Sequence, residues 1–456
     1  MKEEPLLRTP SVDFSHGDLK VARDRRGLVH ADGTPFFYLG DTAWELFHRL
    51  SRDEADYFLR KRAEQRFTVI QAVVLAELNG LTTPNANGDL PLHDLNPATP
   101  NEIYFAQVDY IVNRARELGV FIGMLPTWGS WTLEEHLSYL DNHCIFTPAN
   151  AQQYGQFLGA RYAAVPNIIW ILGGDRAIKD DRHLAVMRAM AAGLRAGDGG
   201  RHLITFHPRG DMSSSQWLHE EPWLDFNMLQ SGHCIRDKAN YEMIRADYER
   251  TPVKPCFDGE PRYEDHPVMT PQWRWDEQQG YYDDYDTRKA AYWSLLAGAH
   301  GHTYGCHPVW QMWQPGREVV NNARTPWHEA LDLPGAWQMR HLRALMETQA
   351  AHVPDQALLA VQETELGRHV QAARAADGSS ALIYIPTPRQ EIAVVPGALR
   401  GARFTAAWYN PRNGKIEASQ GIAFSGKPLQ FTSPAHGPDW VLVLIASEKN
   451  NKEITR

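Results

Sequence analysis

Short apolar runs alternate with longer stretches of helical periodicity along most of this chain, and that exchange, repeated eight times, constrains the fold more than any other feature. The runs lie at 36–40, 68–75, 121–126, 167–172, 202–207, 225–230, 253–257 and 300–305. Helical patterns fall at 51–66, 101–118, 148–164, 182–195, 237–250, 283–298 and 335–349. Only the fifth-to-sixth connection, around 213–221, is too short for a full helix. Ser51-Arg-Asp-Glu54 has capping-box spacing, in which a serine hydroxyl and a glutamate three residues on satisfy free N–H groups at a helix start. Strands alternating with helices predict a parallel sheet, and eight such units predict an α/β chain with a (β/α)₈ TIM barrel. A doubly wound sheet is the rival architecture, but no G-x-G-x-x-G opens the first helix.

On either side of the barrel the pattern changes. Residues 18–38 read as a hairpin turning at Asp24–Gly27 and Asp32-Gly33, within an N-terminal segment (1–35) expected to close the barrel floor. The barrel itself is assigned to 36–351. From 352 to 456 the helical period disappears. Short strands at 381–385, 392–395, 404–409 and 440–445 are separated by Asp377-Gly378, Pro396-Gly397, Asn413-Gly414 and Gly437-Pro438, which predicts a small antiparallel β-sandwich. No linker of low complexity intervenes, so the two domains are expected to pack directly together.

In a TIM barrel the chemistry gathers where the strands end. After the first run come Asp41 and Trp44; after the second, Glu77; after the third, Trp128. The fourth run ends in Gly173-Gly174-Asp175-Arg176, the fifth in His207 and Arg209, and the sixth in Gln230 and His233. The seventh ends in Asp258-Gly259-Glu260-Pro-Arg262, and the eighth runs into His307, Trp310 and Gln311. Acid, amide, imidazole and indole groups thus converge on one face, and stability alone does not require that.

Two of these groups suit the hydrolysis of a glycosidic bond, which needs one carboxyl to protonate the leaving oxygen and another to attack carbon or activate water. Asp175 and Glu260 follow runs four and seven, on opposite walls of a barrel, each after glycine. Structural readings stand beside this one: Asp175 as a helix cap or partner of Arg176, and Glu260 as an ion pair with Arg262. Asp41, Glu77, His207, Arg209, Gln230, His233, Arg262 and Gln311 are the candidate substrate-binding polar groups, and Trp44, Trp128 and Trp310 the candidate pocket walls. The fifteen tryptophans fit a sugar-binding protein, since an indole face stacks on a sugar ring, although most serve the core. His300, His302 and His307 are read as structural, because no matching carboxylate motif makes them a metal set. No cofactor is expected.

The net charge of −9 gives no electrostatic reason to bind nucleic acid or an anionic membrane. Cys144, Cys234, Cys256 and Cys306 lack C-x-x-C spacing and read as reduced thiols. The start, Met1-Lys-Glu-Glu-Pro, carries no signal-peptide pattern, which reads as cytoplasmic unless an export signal has been removed.

Four stretches resemble the apiosidase-like barrel proteins, the group containing glycoside hydrolase family 140. They are Tyr38-Leu-Gly-Asp-Thr-Ala-Trp44, Asn167-Ile-Ile-Trp-Ile-Leu-Gly-Gly-Asp-Arg176, Asp258-Gly-Glu-Pro-Arg-Tyr-Glu264 and Ala297-Gly-Ala-His-Gly-His-Thr-Tyr-Gly305. The segment after 352 is similar to the collagen-binding-type domain that usually follows that barrel. The resemblance implies a retaining mechanism with Asp175 as acid/base and Glu260 as nucleophile, and a plant-type glycoside, an apioside among the options, as substrate. Other furanosides or pyranosides, such as an arabinoside or β-glucoside, and a non-catalytic carbohydrate-binding role are the alternatives. On this reading Glu260 stays ionised with help from Arg262, Asp175 holds its proton, and Arg176 points away from it. The two carboxyls are expected about 5–5.5 Å apart, the spacing of retaining enzymes. Residues 78–99 and 129–147 are the loops expected to choose the sugar.

Overall fold

A computed structural model describes residues 10–133, 143–348 and 352–446. Within them the chain is a (β/α)₈ barrel followed by an antiparallel β-sandwich. The barrel strands are β1 (Tyr38–Thr42), β2 (Val69–Leu75), β3 (Phe121–Thr127), β4 (Ile168–Gly173), β5 (Ile204–His207), β6 (Asn227–Gln230), β7 (Cys256–Asp258) and β8 (Gly301–Tyr304). They pair in parallel from β5 back through β1 to β8, β7 and β6. Between β5 and β6 the ladder gives way to three bonds: Asp225 N–H donates to Ile204 O at 2.9 Å, Ile204 N–H donates to Asp225 Oδ2 at 2.7 Å, and Thr205 Oγ1 donates to Phe226 O at 2.7 Å. Each strand is buried along its whole length. Burial on both faces is why these segments read as continuous apolar runs instead of alternating ones.

The outer helices are α1 (Arg52–Glu64), α2 (Glu102–Glu117), α3 (Pro148–Tyr162), α4 (Asp181–Asp198), α5 (Asn240–Tyr248), α6 (Asp284–Leu296) and α7 (Pro334–Glu347). Ser51 caps α1 as its spacing predicts: Ser51 N–H donates to Glu54 Oε2 at 2.9 Å, and Ser51 Oγ accepts from Glu54 N–H. Between β5 and β6 lie a two-residue strand, Met212–Ser213, antiparallel to β6, and a short helical turn, Ser215–Leu218. Residue 349, the last of the expected seventh helix, lies outside the described residues, as do 134–142 in the middle of one expected sugar-choosing loop. Among the described residues, no helix is long and apolar enough to cross a membrane.

The strand expected at 36–40 is displaced. Residues Pro35–Phe36 join Leu19–Val21 and Leu28–His30 in a three-stranded N-terminal sheet, and β1 starts at Tyr38. That sheet meets the barrel where β3 begins, with Phe14 and Phe36 edge-on to Phe121 at 5.0 and 5.2 Å.

Beyond 352 a six-stranded antiparallel sheet and a two-stranded sheet enclose a second apolar core. The sandwich packs directly on the barrel. Arg288 of α6 forms a bidentate pair with Asp439 at 2.8 and 2.7 Å, and Tyr292 stacks on Tyr384 at 4.9 Å.

Candidate active site

A cavity of about 1490 Å³ opens at the C-terminal ends of the barrel strands. Asp175, Glu260 and Glu77 line it, with Trp44, Trp128, Trp310, Arg209, Gln230 and His233. Parallel strands bring these groups together because every βα turn leaves the sheet at the same end.

The β4 turn is built from unusual backbone. Gly173, Gly174 and Asp175 have φ of 86°, 113° and 54°, three left-handed residues in succession. A Cβ on Gly174 would lie 2.7 Å from Gly129 N, so the chain passes where only glycine fits. Asp175 adopts the left-handed region at some conformational cost, although aspartate tolerates it better than most residues, and such strain collects at functional sites. Its N–H donates to His207 Nδ1 at 2.9 Å. Burial at the cavity floor pushes the Asp175 carboxyl up; the neighbouring Arg176 opposes this, and the negative Glu260 adds to it. By area the side chain is 31% open to the cavity. It is therefore enclosed by protein yet reachable by solvent.

Glu260 sits in the opposite setting. Its side chain is 8% exposed. His233 Nε2 lies 2.9 Å from Oε1, and His207 Nε2 lies 2.9 Å from Oε2 at ion-pair distance, without good hydrogen-bond alignment. His207 accepts a hydrogen bond at Nδ1, so its proton is on Nε2, facing the carboxylate. Burial alone would raise the Glu260 pKa; the two imidazoles outweigh it and hold it down at about 2. One imidazole thus touches the backbone of Asp175 and the carboxylate of Glu260 together.

The structure alters several expectations. Arg176 points toward Asp175, not away: Nη1 is 2.8 Å from Asp175 Oδ2, and Nη2 donates to Ser130 Oγ at 2.8 Å. Arg262 does not assist Glu260 and does not line the cavity; it is fully buried and donates to the carbonyls of Arg236 and Lys238. Asp41 is also absent from the cavity wall. It lies inside β1, two residues earlier in the strand than expected, and points outward to Arg62 of α1 at 2.6 Å. Gln311 binds Val320 at both backbone groups, with Oε1 accepting from its N–H at 3.0 Å, and so ties down a loop. His207 acts on the carboxyl pair instead of facing the cavity. His300 is structural, its Nδ1 3.0 Å from Cys256 O, and His307 Nε2 is 3.0 Å from Val320 O and Asn321 O. All four cysteines are free thiols.

Trp44, Trp128 and Trp310 form cavity wall with their faces largely covered; Trp44 Nε1 donates to Tyr263 OH at 3.2 Å, and Trp310 Nε1 to His307 Nδ1 at 3.1 Å. Sequence reasoning passed over Tyr263, His266 and Trp273. His266 stacks on His233 at 4.4 Å. Trp273, at the tip of the loop after β7, is 51% exposed beside the cavity with a φ of 56°. Its only signal was an aromatic pair in a polar loop, Trp273-Arg-Trp275, which has no periodicity to place it.

Comparison with known proteins agrees with this architecture. The family model described as "Apiosidase-like, catalytic domain" matches residues 22–352, and one described as "Putative collagen-binding domain of a collagenase" matches 353–445. A solved structure titled "Glycoside hydrolase" is 34% identical with a TM-score of 0.85, over 96% of this chain and 99% of that one. A glycoside hydrolase family 5 structure from Bacteroides vulgatus ATCC 8482 is 32% identical with a TM-score of 0.86, over 97% and 96%. A second Bacteroides vulgatus structure, at 14% identity and a TM-score of 0.67 over 94% and 82%, shares the fold. No curated protein matches the chain.

Proposed function

The chain belongs to the apiosidase-like family of glycoside hydrolases, and from that premise we propose a retaining, double-displacement mechanism with Glu260 as nucleophile and Asp175 as acid/base. The observation that carries this reading is the opposite electrostatic setting of two carboxyls on one cavity: Glu260 is held ionised by two imidazoles, while Asp175 is pushed toward its protonated form. Pairs with separated pKa values divide acid and base work between them. In the first step a Glu260 oxygen bonds the anomeric carbon, the bond to the leaving oxygen breaks, and Asp175 passes its proton to that oxygen. In the second, Asp175 takes a proton from water, the water oxygen bonds the anomeric carbon, and Glu260 departs. This requires carboxyls about 5–5.5 Å apart.

The cavity exceeds the roughly 300–1,000 Å³ usual for small-molecule sites. That supports a substrate longer than one sugar ring, such as a plant-type glycoside or oligosaccharide. Within this class an apioside is the sugar the family resemblance favours, ahead of an arabinoside or β-glucoside. A panel of chromogenic apiosides, arabinosides and β-glucosides decides among them, and NMR of the first-formed product gives the stereochemistry. Release of the opposite anomer would make Glu260 a base acting on water, and turnover unchanged by Glu260→Gln would remove it from the chemistry.

A further inference from the structure

Glu77 follows β2 and is a third carboxyl on the cavity wall. It is only 8% exposed, yet among the described residues its side chain has no hydrogen-bond or ion-pair partner. Among the described residues, the other buried acids of the barrel are all held. Asp41 pairs with Arg62, and Glu45 binds His48 and the Leu78 N–H. Asp258 accepts from Ser231 and Asn240, Asp247 from Ser213 and Ser215, and Glu264 from Tyr304 and the Gly335 N–H. A carboxyl so enclosed costs a fold stability unless something completes it. Glu77 faces a cavity, so a ligand group can.

Strand order places Glu77 between the turns that carry Trp44 and Trp128, and therefore on a side of the cavity distinct from β4 and β7. Burial and the nearby Asp175 push its pKa well above the carboxylate range, with Glu45 and Glu260 adding to the shift and Arg176 opposing it. A protonated carboxyl offers both an O–H donor and an acceptor oxygen, which matches a sugar hydroxyl. We propose that Glu77 binds a hydroxyl of the sugar ring held between Asp175 and Glu260, and so helps select which sugar is cleaved. The inference rests on the glycosidase reading above, and its test separates the two.

The test compares wild type with Glu77→Gln and Glu77→Ala on the preferred chromogenic glycoside and on its monodeoxy analogues. Glu77→Ala is expected to lose roughly 100-fold in kcat/KM on the intact sugar, as for a lost hydrogen bond in a closed site. Glu77→Gln, which keeps shape, donor and acceptor, should recover most of that loss. For one analogue, the one lacking the hydroxyl that Glu77 grips, wild type and Glu77→Ala should be equally slow. An equal loss on every analogue would overturn the proposal and make Glu77 structural. Azide rescue of Glu77→Ala would overturn it too, by making Glu77 the acid/base. If wild type cleaves no glycoside, the catalytic reading fails by itself. Tryptophan-fluorescence titration with free pentoses then decides: binding that is lost in Glu77→Ala and kept in Glu77→Gln supports the proposal, and no binding to wild type refutes it.

Discussion

The turns after β4 and β7 each place a carboxyl behind a glycine, yet they reach the cavity by different physical means. At β4 the backbone carries the burden: three left-handed residues, with Gly129 and Trp128 so close that Gly174 tolerates no side chain. At β7 the burden falls on side chains. Gly259 has no left-handed φ, and the nearest atoms a Cβ there would meet belong to the side chain of Met228, at 2.5 Å. Glu260 is then fixed by His207, the last residue of β5, and His233, on the turn after β6. One carboxyl is positioned by strain and the other by imidazole contacts. The difference matters because an acid/base must hold a proton and release it, whereas a nucleophile must stay ionised.

The largest effect should come from deleting the two carboxyls in turn. Glu260→Gln and Asp175→Asn should each lower kcat by on the order of 10⁴-fold with the fold intact by circular dichroism. Azide should restore turnover only to Asp175→Ala, on a substrate with a good leaving group, because there only the second step lacks its base. Rescue of the Glu260 variant with the same product anomer would reverse the assignment.

The glycines come next. Gly174→Ala should cost about 1–3 kcal/mol of stability and most of the activity, since the strained turn must open. Gly259→Ala should cost less on both counts, because the Met228 side chain can move. Denaturant unfolding of both variants checks the order, and equal losses would erase the distinction between the turns.

His233→Ala should reduce kcat/KM roughly 10- to 100-fold near neutrality by removing a hydrogen bond to a charged group. It should also move the acid limb of the pH profile. Glu260 has a pKa depressed to about 2, so its ionised form persists to low pH in wild type. Without His233 that pKa rises, and activity should fall away at higher pH than before. An unmoved acid limb would show that His233 does not act through Glu260.

The smallest effect concerns Arg176, whose charge opposes the upward shift of Asp175. Arg176→Gln should let Asp175 keep its proton to higher pH and so move the basic limb upward, with a change of about two- to fivefold in rate at neutral pH. A downward shift would mean that Arg176 serves substrate instead.

Much of this arrangement was legible in residue order, for identifiable reasons. A barrel strand is buried on both faces, so 68–75 and 121–126 stand out as unbroken apolar runs, and the structure places β2 and β3 within a residue of them at either end. Glycine before Asp175 and Glu260 marked both turns because each leaves no room for a Cβ, against backbone at Gly174 and against the Met228 side chain at Gly259. The edge strand Lys415–Ala423 of the sandwich was missed, since it is largely exposed and no apolar pattern is needed there.

What the sequence could not decide were the partners. A one-dimensional reading paired Glu260 with Arg262, two residues away, whereas the groups that hold it are the imidazoles of His207 and His233, brought close only when β5, β6 and β7 lie side by side. It put Asp41 at the mouth, whereas a shift of two residues in the start of β1 left that carboxylate inside the strand, facing Arg62. It left Glu77 as one acid among several, and only the folded chain made it a buried acid with no hydrogen-bond or ion-pair partner among the described residues. Local pattern determines which segments become strands and helices, because burial and backbone geometry act over a few residues. Ionisation and pairing depend on which side chains meet across a closed barrel, and that is a property of the tertiary structure alone.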